Sequence, residues 1–351
     1  MEIFQLKYRK QWIKMSLGAY FFIYLFVHLY TLDLHSMPWF DETYMSSLTK
    51  EFSETGEFRR SIAADNLEKP TEPTYGPVFF VLTTLSTRLL GFEIFSYRLV
   101  VFFSGLLLVA VLTLFYRLFH TSLYASLGLA FVLAHDPFFS LAMHEGRNDL
   151  TAAFFMLCAL YFFFKGYKKA VILQKGPVAF LRPAIFSGIW VAIALLTSPR
   201  AGFILPFIAL FFLSLGRRYW TCFAIWSGII GALYSIWVFY AYGGYPRFFQ
   251  HFLALSTEFT KLNENRVLYI PKHQWLLIPV ALVALCYQLI IYRLQAFRNI
   301  VFSVGLAGLC LFYVLVFDLG PYSSYAIPYY YLLIFSALIP MARFIPASRE
   351  I

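Results

Sequence analysis

Ten apolar stretches divide the chain and leave little sequence between them. A helical span needs about 20 mostly apolar residues to cross roughly 30 Å of hydrocarbon. Because a bilayer offers no water to unpaired backbone groups, a chain built from such stretches folds as packed α-helices. The stretches lie near residues 15–34, 94–116, 123–143, 148–164, 184–197, 201–216, 219–241, 275–292, 299–317 and 325–342.

The composition agrees with a membrane location. The chain is 60% hydrophobic and only 13% charged, whereas soluble domains are about 25% charged. We therefore expect an all-α integral membrane protein in contact with the lipid bilayer, a single polytopic domain over residues 1–351. The first stretch is too long and too aromatic for a secretory signal, so it should remain as an anchoring span. The cysteines lie far apart inside apolar stretches, without the spacing of a metal site: Cys158, Cys222, Cys286 and Cys310.

The orientation depends on one segment, "YGPVFFVLTTLSTRLL", residues 75–90. From Pro77 it offers about 21 Å of helix at ~1.5 Å per residue, which is too short to cross. If it does not cross, 16 of the 28 Lys and Arg lie on the amino-terminal side of the membrane, and 16 of the 18 Asp and Glu lie on the other. Positive charge collects in cytoplasmic loops. We therefore expect a multi-pass protein of the plasma (inner) membrane, with both termini cytoplasmic and an acidic periplasmic or extracellular face.

The net charge of +10 is then a consequence of membrane orientation. Binding to nucleic acid would need a basic face, and the predicted arrangement supplies none. We expect no nucleic-acid partner.

The first outer loop, residues 35–93, is the longest and should contain two juxtamembrane helices. After Asp41 the apolar residues Tyr44, Leu48 and Phe52 recur every four residues, and Gly56 follows as a stop, a pattern typical of an amphipathic helix. Asp is a favoured N-cap because its carboxylate accepts a hydrogen bond from a free backbone N–H. The same carboxylate could bind a metal or take a proton, so both roles remain open for Asp41.

A second acidic segment, "HDPFFSLAMHEGRNDLTAAF", begins at His135. Asp149 precedes an apolar helix and could be its cap, but the predicted topology also places it on the same surface as Asp41. Asp136 falls inside the third span, where ionisable residues usually face a cavity or a partner. We expect His135 and His144 to be satisfied by local hydrogen bonds.

Cations line the same predicted face. The planar fork of arginine suits phosphate oxygens, although any one of these residues could simply anchor a loop at lipid headgroups. Together with the carboxylates they indicate a site for a phosphorylated lipid. The cations are Arg147, Arg200, Arg247, Lys261, Arg266 and Lys272, with His273 beside them.

Several short motifs follow one another in the order of a known enzyme family. An Asp-Glu pair follows the first span in "PWFDETYMSSLTKEFSETGEF", and "PTYGPVFFVLTTLSTRLLGFEIFSYRL" contains a helix with proline and an Arg that opens the next span. "GRNDLTAAF", "LLTSPRAGFILP" and "YPRFFQHFLALSTEFTKLNENRVLYIPKHQW" come next. Over roughly residues 15–340 this pattern resembles the GT-C type polyprenyl-phosphate-dependent membrane glycosyltransferases, in the branch of aminoarabinose transferases and protein O-mannosyltransferases.

The resemblance implies an all-α GT-C fold of about ten transmembrane helices. It also implies inverting transfer of a sugar from a polyprenyl-phosphate carrier to a glycan, lipid or protein acceptor on the outer face. Asp41 would be the general base, or would hold the acceptor hydroxyl or a divalent cation such as Mg²⁺ or Mn²⁺. Asp149 would assist in that pocket or share the metal, and Glu42 would support the loop. The candidate substrate-binding residues are Tyr75, Asp136, Arg147, Arg200, Arg266 and Lys272.

The sequence departs from the family in three places. Ser198 stands where many relatives have Lys or Arg, which leaves Arg200 as the substitute. The last outer loop, "DLGPYSSYAIPYYY", lacks a basic residue, and the soluble carboxyl-terminal domain of many relatives is missing. A dead relative or a partner-dependent subunit is therefore an open alternative to an enzyme.

Two other function classes stay open at this point. A transporter or flippase of a lipid-linked or amphipathic solute could use the same acids as a gate, but it would more often show paired halves with matching broken helices. A structural scaffold fits poorly with a long loop that concentrates acids beside the bilayer.

Overall fold

The computed structural model describes residues 2–34, 40–56, 75–119 and 123–250, with a few isolated residues beyond. These segments are helical and contain no β-strand, as the all-α prediction requires. The predicted spans at 275–292, 299–317 and 325–342 lie outside the described residues. The α-helices are α1 Glu2–Tyr30, α2 Phe40–Thr55, α3 Pro77–Leu90, α4 Ile94–Phe119, α5 Leu123–Ala134, α6 Pro137–His144, α7 Asn148–Tyr167, α8 Val178–Leu195, α9 Leu205–Ser214 and α10 Trp220–Tyr242.

Within this part of the chain, four helical segments are long and apolar enough to cross a membrane: Ile94–Leu118, Asn148–Ile172, Val178–Leu195 and Arg217–Tyr242. Helices α5 and α6 together form a fifth apolar segment, which is bent by 62°. The bend falls at Pro137, which lacks the N–H that would continue the helix. The third predicted span is therefore a broken helix.

The predicted span at 201–216 is not one continuous α-helix. A 3₁₀ turn covers Pro199–Ile204, and α9 then runs for 10 residues. Pro199 and Pro206 remove two backbone donors within this stretch, which accounts for the interruption.

Helix α7 is the core of the bundle. The apolar segment that contains α7 is 78% buried, whereas the segment that contains α10 is 28% buried. Helix α7 packs against α4 on one side and α8 on the other. Small residues allow this close approach: Gly166 of α7 lies directly against the Phe180 ring of α8. Deeper in the bundle Phe163 packs against Phe180 and Phe212 with ring centroids 5.4 and 4.8 Å apart.

Helix α1 docks on the broken span through a stripe of aromatic and imidazole rings. Tyr20 and Tyr24 contact the ring of His135, and His28 lies 5.0 Å from the ring of His144. Both histidines of the broken span also bond locally: Nδ1 of His135 lies 2.7 Å from the Phe131 carbonyl and Nδ1 of His144 lies 2.8 Å from the Ser140 carbonyl. The prediction of local hydrogen bonds for these two histidines is confirmed.

The segment between α1 and α4 leaves and returns to the same end of the bundle, because Nη1 of Arg98, near the start of α4, donates to the Leu32 carbonyl just after α1. Helix α3 has 14 residues, the length from which we predicted that it does not cross the membrane. Helix α2 ends at Thr55, and Gly56 follows with φ +74°, as the stop signal predicted. The described part of loop 35–93 thus contains two short helices, as predicted.

Gly76 lets the start of α3 press against the turn that follows α8. A Cβ at position 76 would lie 2.2 Å from the Leu196 carbonyl oxygen, and Val78 N–H donates to the same oxygen at 3.1 Å. Because the obstructing atom is backbone, it cannot move aside as a flexible side chain would.

Gly76→Ala should therefore lower the stability of the purified protein, by roughly 1–3 kcal/mol as overpacking commonly does. The measurement is the thermal unfolding midpoint in detergent. Gly228→Ala is the matched control, because a Cβ at Gly228 meets nothing within 4 Å and alanine favours the helix. Equal midpoints for the two variants would contradict the close approach.

Candidate functional site

Six segments of the chain meet at one end of the bundle. They are the end of α1, the starts of α2, α3 and α4, the loop before α7 and the turn after α8. They are joined by an ion pair between two side chains, by bonds from side chains to backbone and by one backbone–backbone bond. Two of these segments contain the aspartates that the sequence singled out.

A buried ion pair forms the centre of this end. Nε and Nη2 of Arg98 bond Oε1 and Oε2 of Glu42 at 2.6 and 2.8 Å, and the Arg98 side chain is completely buried. Two parallel N–H···O bonds are the geometry in which a guanidinium holds a carboxylate most firmly. The Arg98 junction, meaning Arg98, Glu42, Leu32 and Gly146, thus connects α1, α2 and α4.

Gly146 brings the loop before α7 into the same junction. Its N–H donates to Oε1 of Glu42 at 3.1 Å. A Cβ at position 146 would lie 2.5 Å from that oxygen and equally close to the Tyr97 ring. Only glycine fits here without a shift of its neighbours, so the loop that leads to Asp149 lies directly on the start of α2.

The turn after α8 is attached to the same end by two further bonds. Asn148 Nδ2, at the start of α7, donates to the Thr197 carbonyl at 2.9 Å, and the start of α3 bonds Leu196 as described above. Tyr75, just before α3, is half-buried and packs against the core. The backbone of Arg200 follows this turn by three residues, while its side chain lies outside the described residues.

Asp149 forms a buried ion pair with its neighbour Arg147. Nε of Arg147 donates to Oδ2 of Asp149 at 2.9 Å, and the two side chains are 8% and 3% exposed. The N-cap of α7 is Arg147, two residues before Asp149, so the capping hypothesis for Asp149 is wrong. Asp149 is the second residue of α7, where the helix dipole favours a negative charge.

Asp41 has the matching position in its own helix. Helix α2 begins at Phe40, so Asp41 is also the second helical residue, and its neighbour Glu42 lies in the Arg98 junction. The side chain of Asp41 lies outside the described residues. The backbone nevertheless brings the two aspartate-bearing helix starts together through the bond between Glu42 and Gly146.

Glu145 is a half-buried carboxyl between these two ion pairs. Burial raises the pKa of Glu145 to about 7, with Asp149 and Glu42 adding to the rise and Arg147 and Arg98 opposing it. Sequence reasoning missed Glu145, Arg98 and Gly146 as site residues. The sequence does contain a signal for Arg98, because a charge just inside an apolar span is costly and needs a partner. For Glu145 no sequence feature separates it from its charged neighbours.

Asp136 has a structural role. Its Oδ1 accepts the N–H groups of Phe138 and Phe139 at 3.0 and 2.9 Å and so caps α6 after the break. The eight residues of α6 separate Asp136 from Glu145, about 12 Å at ~1.5 Å per residue. The structure therefore does not bring Asp136 into the Arg98 junction. The candidates Arg266 and Lys272 lie outside the described residues.

A cavity of about 270 Å³ opens between α2, the end of α3 and the start of α4. Its size is close to the lower limit of small-molecule sites, which begin at about 300 Å³. The wall combines hydroxyls, carboxylates and rings from Glu42, Thr43, Ser46, Thr87, Phe92, Glu93, Ile94 and Tyr97.

The described residues do not form a metal site. No group of three or more His, Cys, Asp or Glu among them has the arrangement to hold an ion, and Asp149 already accepts from a guanidinium. A cation beside Arg147 would meet like charge. The suggested Mg²⁺ or Mn²⁺ at Asp41 and Asp149 stays a prediction, because the side chain of Asp41 lies outside the described residues.

Residues 69–242 match the family of dolichyl-phosphate-mannose-protein mannosyltransferases. Two solved structures of ArnT from Cupriavidus metallidurans have the same fold, each at 17% sequence identity. The apo structure gives a TM-score of 0.68 over 95% of this chain and 62% of that chain. The structure bound to undecaprenyl phosphate gives a TM-score of 0.64 over 92% of this chain and 60% of that chain. The chain thus spans about three fifths of the structures it resembles, and a comparison with curated proteins finds no match.

We predict that the Arg98 junction behaves as a coupled pair. Arg98→Met leaves the Glu42 carboxylate buried without its guanidinium and should cost about 3–5 kcal/mol, whereas Arg98→Met combined with Glu42→Met should cost less than the single change. Thermal unfolding in detergent measures both.

Lys50→Met is the control for this pair. Lys50 and Glu54 form an exposed pair at 4.0 Å, and such pairs contribute about 0–1 kcal/mol. If the double variant were as unstable as the sum of its single variants, the two side chains would not be coupled.

Proposed function

We propose that this chain, a GT-C type protein of the polyprenyl-phosphate-dependent membrane glycosyltransferases, transfers a sugar from a polyprenyl phosphate to an acceptor hydroxyl. The site would lie on the periplasmic or extracellular face of the plasma membrane, with both termini in the cytoplasm. The observation that carries the proposal is the convergence of the Asp41 and Asp149 helix starts on the Arg98 junction.

The donor class rests on what the similar proteins bind. One ArnT structure holds undecaprenyl phosphate, and the matching family uses dolichyl-phosphate-mannose. Both carriers are polyprenyl phosphates. A sugar on such a carrier fits a site at the membrane surface, because the lipid tail stays in the bilayer while the phosphate and sugar emerge.

The charge changes during sugar transfer indicate a role for each candidate residue. The acceptor oxygen attacks the anomeric carbon, the bond from that carbon to the phosphate oxygen breaks, and the phosphate leaves with the electron pair, which inverts the anomeric centre. Asp41 would hold the acceptor hydroxyl or draw its proton, and Asp149, fixed by Arg147, would orient the start of α7 in the same pocket. The departing phosphate would be stabilised by cations, for which the candidates are Arg200, Arg266 and Lys272, with Tyr75 beside them.

Glu42 would act through the protein and not on the substrate. Both of its oxygens bond Arg98, and one also accepts from Gly146. Both oxygens of the Glu42 carboxylate are therefore occupied by protein donors. Its proposed task is to fix the helix position of the adjacent Asp41.

Asp41→Asn should abolish release of free polyprenyl phosphate from a polyprenyl-phosphate sugar, because a neutral amide can neither draw the proton of the acceptor hydroxyl nor hold that hydroxyl as a charged carboxylate does. The assay uses the purified full chain in detergent with lipid. Glu54→Gln is the control, since Glu54 lies on the same helix and is 61% exposed. A flippase would move the intact donor, so neither the wild type nor Asp41→Asn would release polyprenyl phosphate. If Asp41→Asn released it at the wild-type rate, the role of Asp41 would be refuted.

The proposed orientation has its own test. An epitope inserted after Gly216, in the exposed turn before Arg217 and Arg218, should be reached by antibody only after the cytoplasmic side is opened. The basic pair should stay with the cytoplasm. Labelling of intact cells or spheroplasts at this position would overturn the orientation and the external site with it.

A further inference from the structure

Glu145 lies among four charged side chains of the described residues. The groups that act on it are the guanidiniums of Arg98 and Arg147 and the carboxyls of Glu42 and Asp149. Arg98 is bonded to Glu42 and Arg147 to Asp149. Within the described part of the chain, Glu145 makes no side-chain hydrogen bond or ion pair, so it is the odd carboxyl of the set.

The backbone holds Glu145 between the two pairs. Its carbonyl accepts the N–H of Arg147 at 2.8 Å, which makes Glu145, Gly146 and Arg147 one tight turn. Gly146 in the middle of that turn donates to Glu42. Both neighbouring ion pairs are buried, and Glu145 is itself only partly exposed.

This environment suits a group that gains and loses a proton near neutral pH. The groups that face Glu145 are Arg147 and Asp149 on α7 and its loop, Glu42 on α2 and Arg98 on α4, and burial outweighs the two cations so that the pKa rises to about 7. A general base works best when its pKa lies near the working pH. Glu42 and Asp149 are each bonded to a guanidinium.

We propose that Glu145 is the proton acceptor of the site, the carboxylate on which the proton of the acceptor hydroxyl ends during sugar transfer. This inference rests on the proposed function. The oxygen–hydrogen bond of the acceptor breaks as its oxygen bonds the anomeric carbon, the polyprenyl phosphate departs with the electron pair of the broken carbon–oxygen bond, and Glu145 becomes neutral. Asp41 then holds the acceptor hydroxyl during the attack.

Two measurements on the purified full chain test this assignment. Infrared difference spectra recorded against pH should show a protonated carboxyl band that titrates around 7 and is lost in Glu145→Gln. The rate of polyprenyl phosphate release should rise with pH through the same range, because only the ionised carboxyl accepts a proton. Glu145→Gln should be roughly 100-fold slower and should lack this rise.

Glu145→Asp keeps a carboxyl and should restore part of the rate together with a shifted pH dependence, which a purely structural role would not produce. Glu54→Gln should match the wild type in both measurements. Retention of the titrating band or of the pH-dependent rise in Glu145→Gln would overturn the assignment. A wild-type protein that releases no polyprenyl phosphate at any pH would refute the proposed function, and the transfer role of Glu145 with it, whatever the infrared titration shows.

Discussion

The bidentate bond between Arg98 and Glu42 is the constraint on which the rest of the site depends. A buried guanidinium is tolerated only when its donors are satisfied, and here they bond Glu42 and the Leu32 carbonyl. Those partners lie on three separate segments. Once the pair forms, the end of α1, the start of α2 and the start of α4 have one arrangement, and Asp41 follows because it adjoins Glu42.

The remaining segments attach to this arrangement through backbone groups. Gly146 donates to Glu42, Asn148 bonds Thr197, and the start of α3 bonds Leu196. Helix α7 is held on both sides by α4 and α8, so its first turn is a rigid base. The candidate residues in the described part of the chain therefore lie on or beside helix starts, which fixes their backbone more firmly than a free loop would.

The sequence predicted the elements that are set by local chemistry. Pro77 and Gly91 bound α3, Gly56 follows α2, and the apolar lengths locate four continuous spans in the described part of the chain. It could not predict how three acids and two arginines would pair, because several pairings were consistent with the same spacing and only the packed fold selects one. Glu145 shows this limit: in "EGRND" it looks like its neighbours, and it differs only because both arginines are bonded to other carboxylates.

This pairing also determines how charge can move during the proposed transfer. Before reaction, the donor phosphodiester and an ionised Glu145 each carry one negative charge. After reaction, the released polyprenyl phosphate carries the additional charge, and Glu145 is neutral because it holds the proton. The total charge of the site is unchanged, so no counter-ion has to enter a partly buried site. Since Arg98 is bonded to Glu42 and Arg147 to Asp149, we propose that the departing phosphate is met chiefly by other cations, for which Arg200, Arg266 and Lys272 are the candidates.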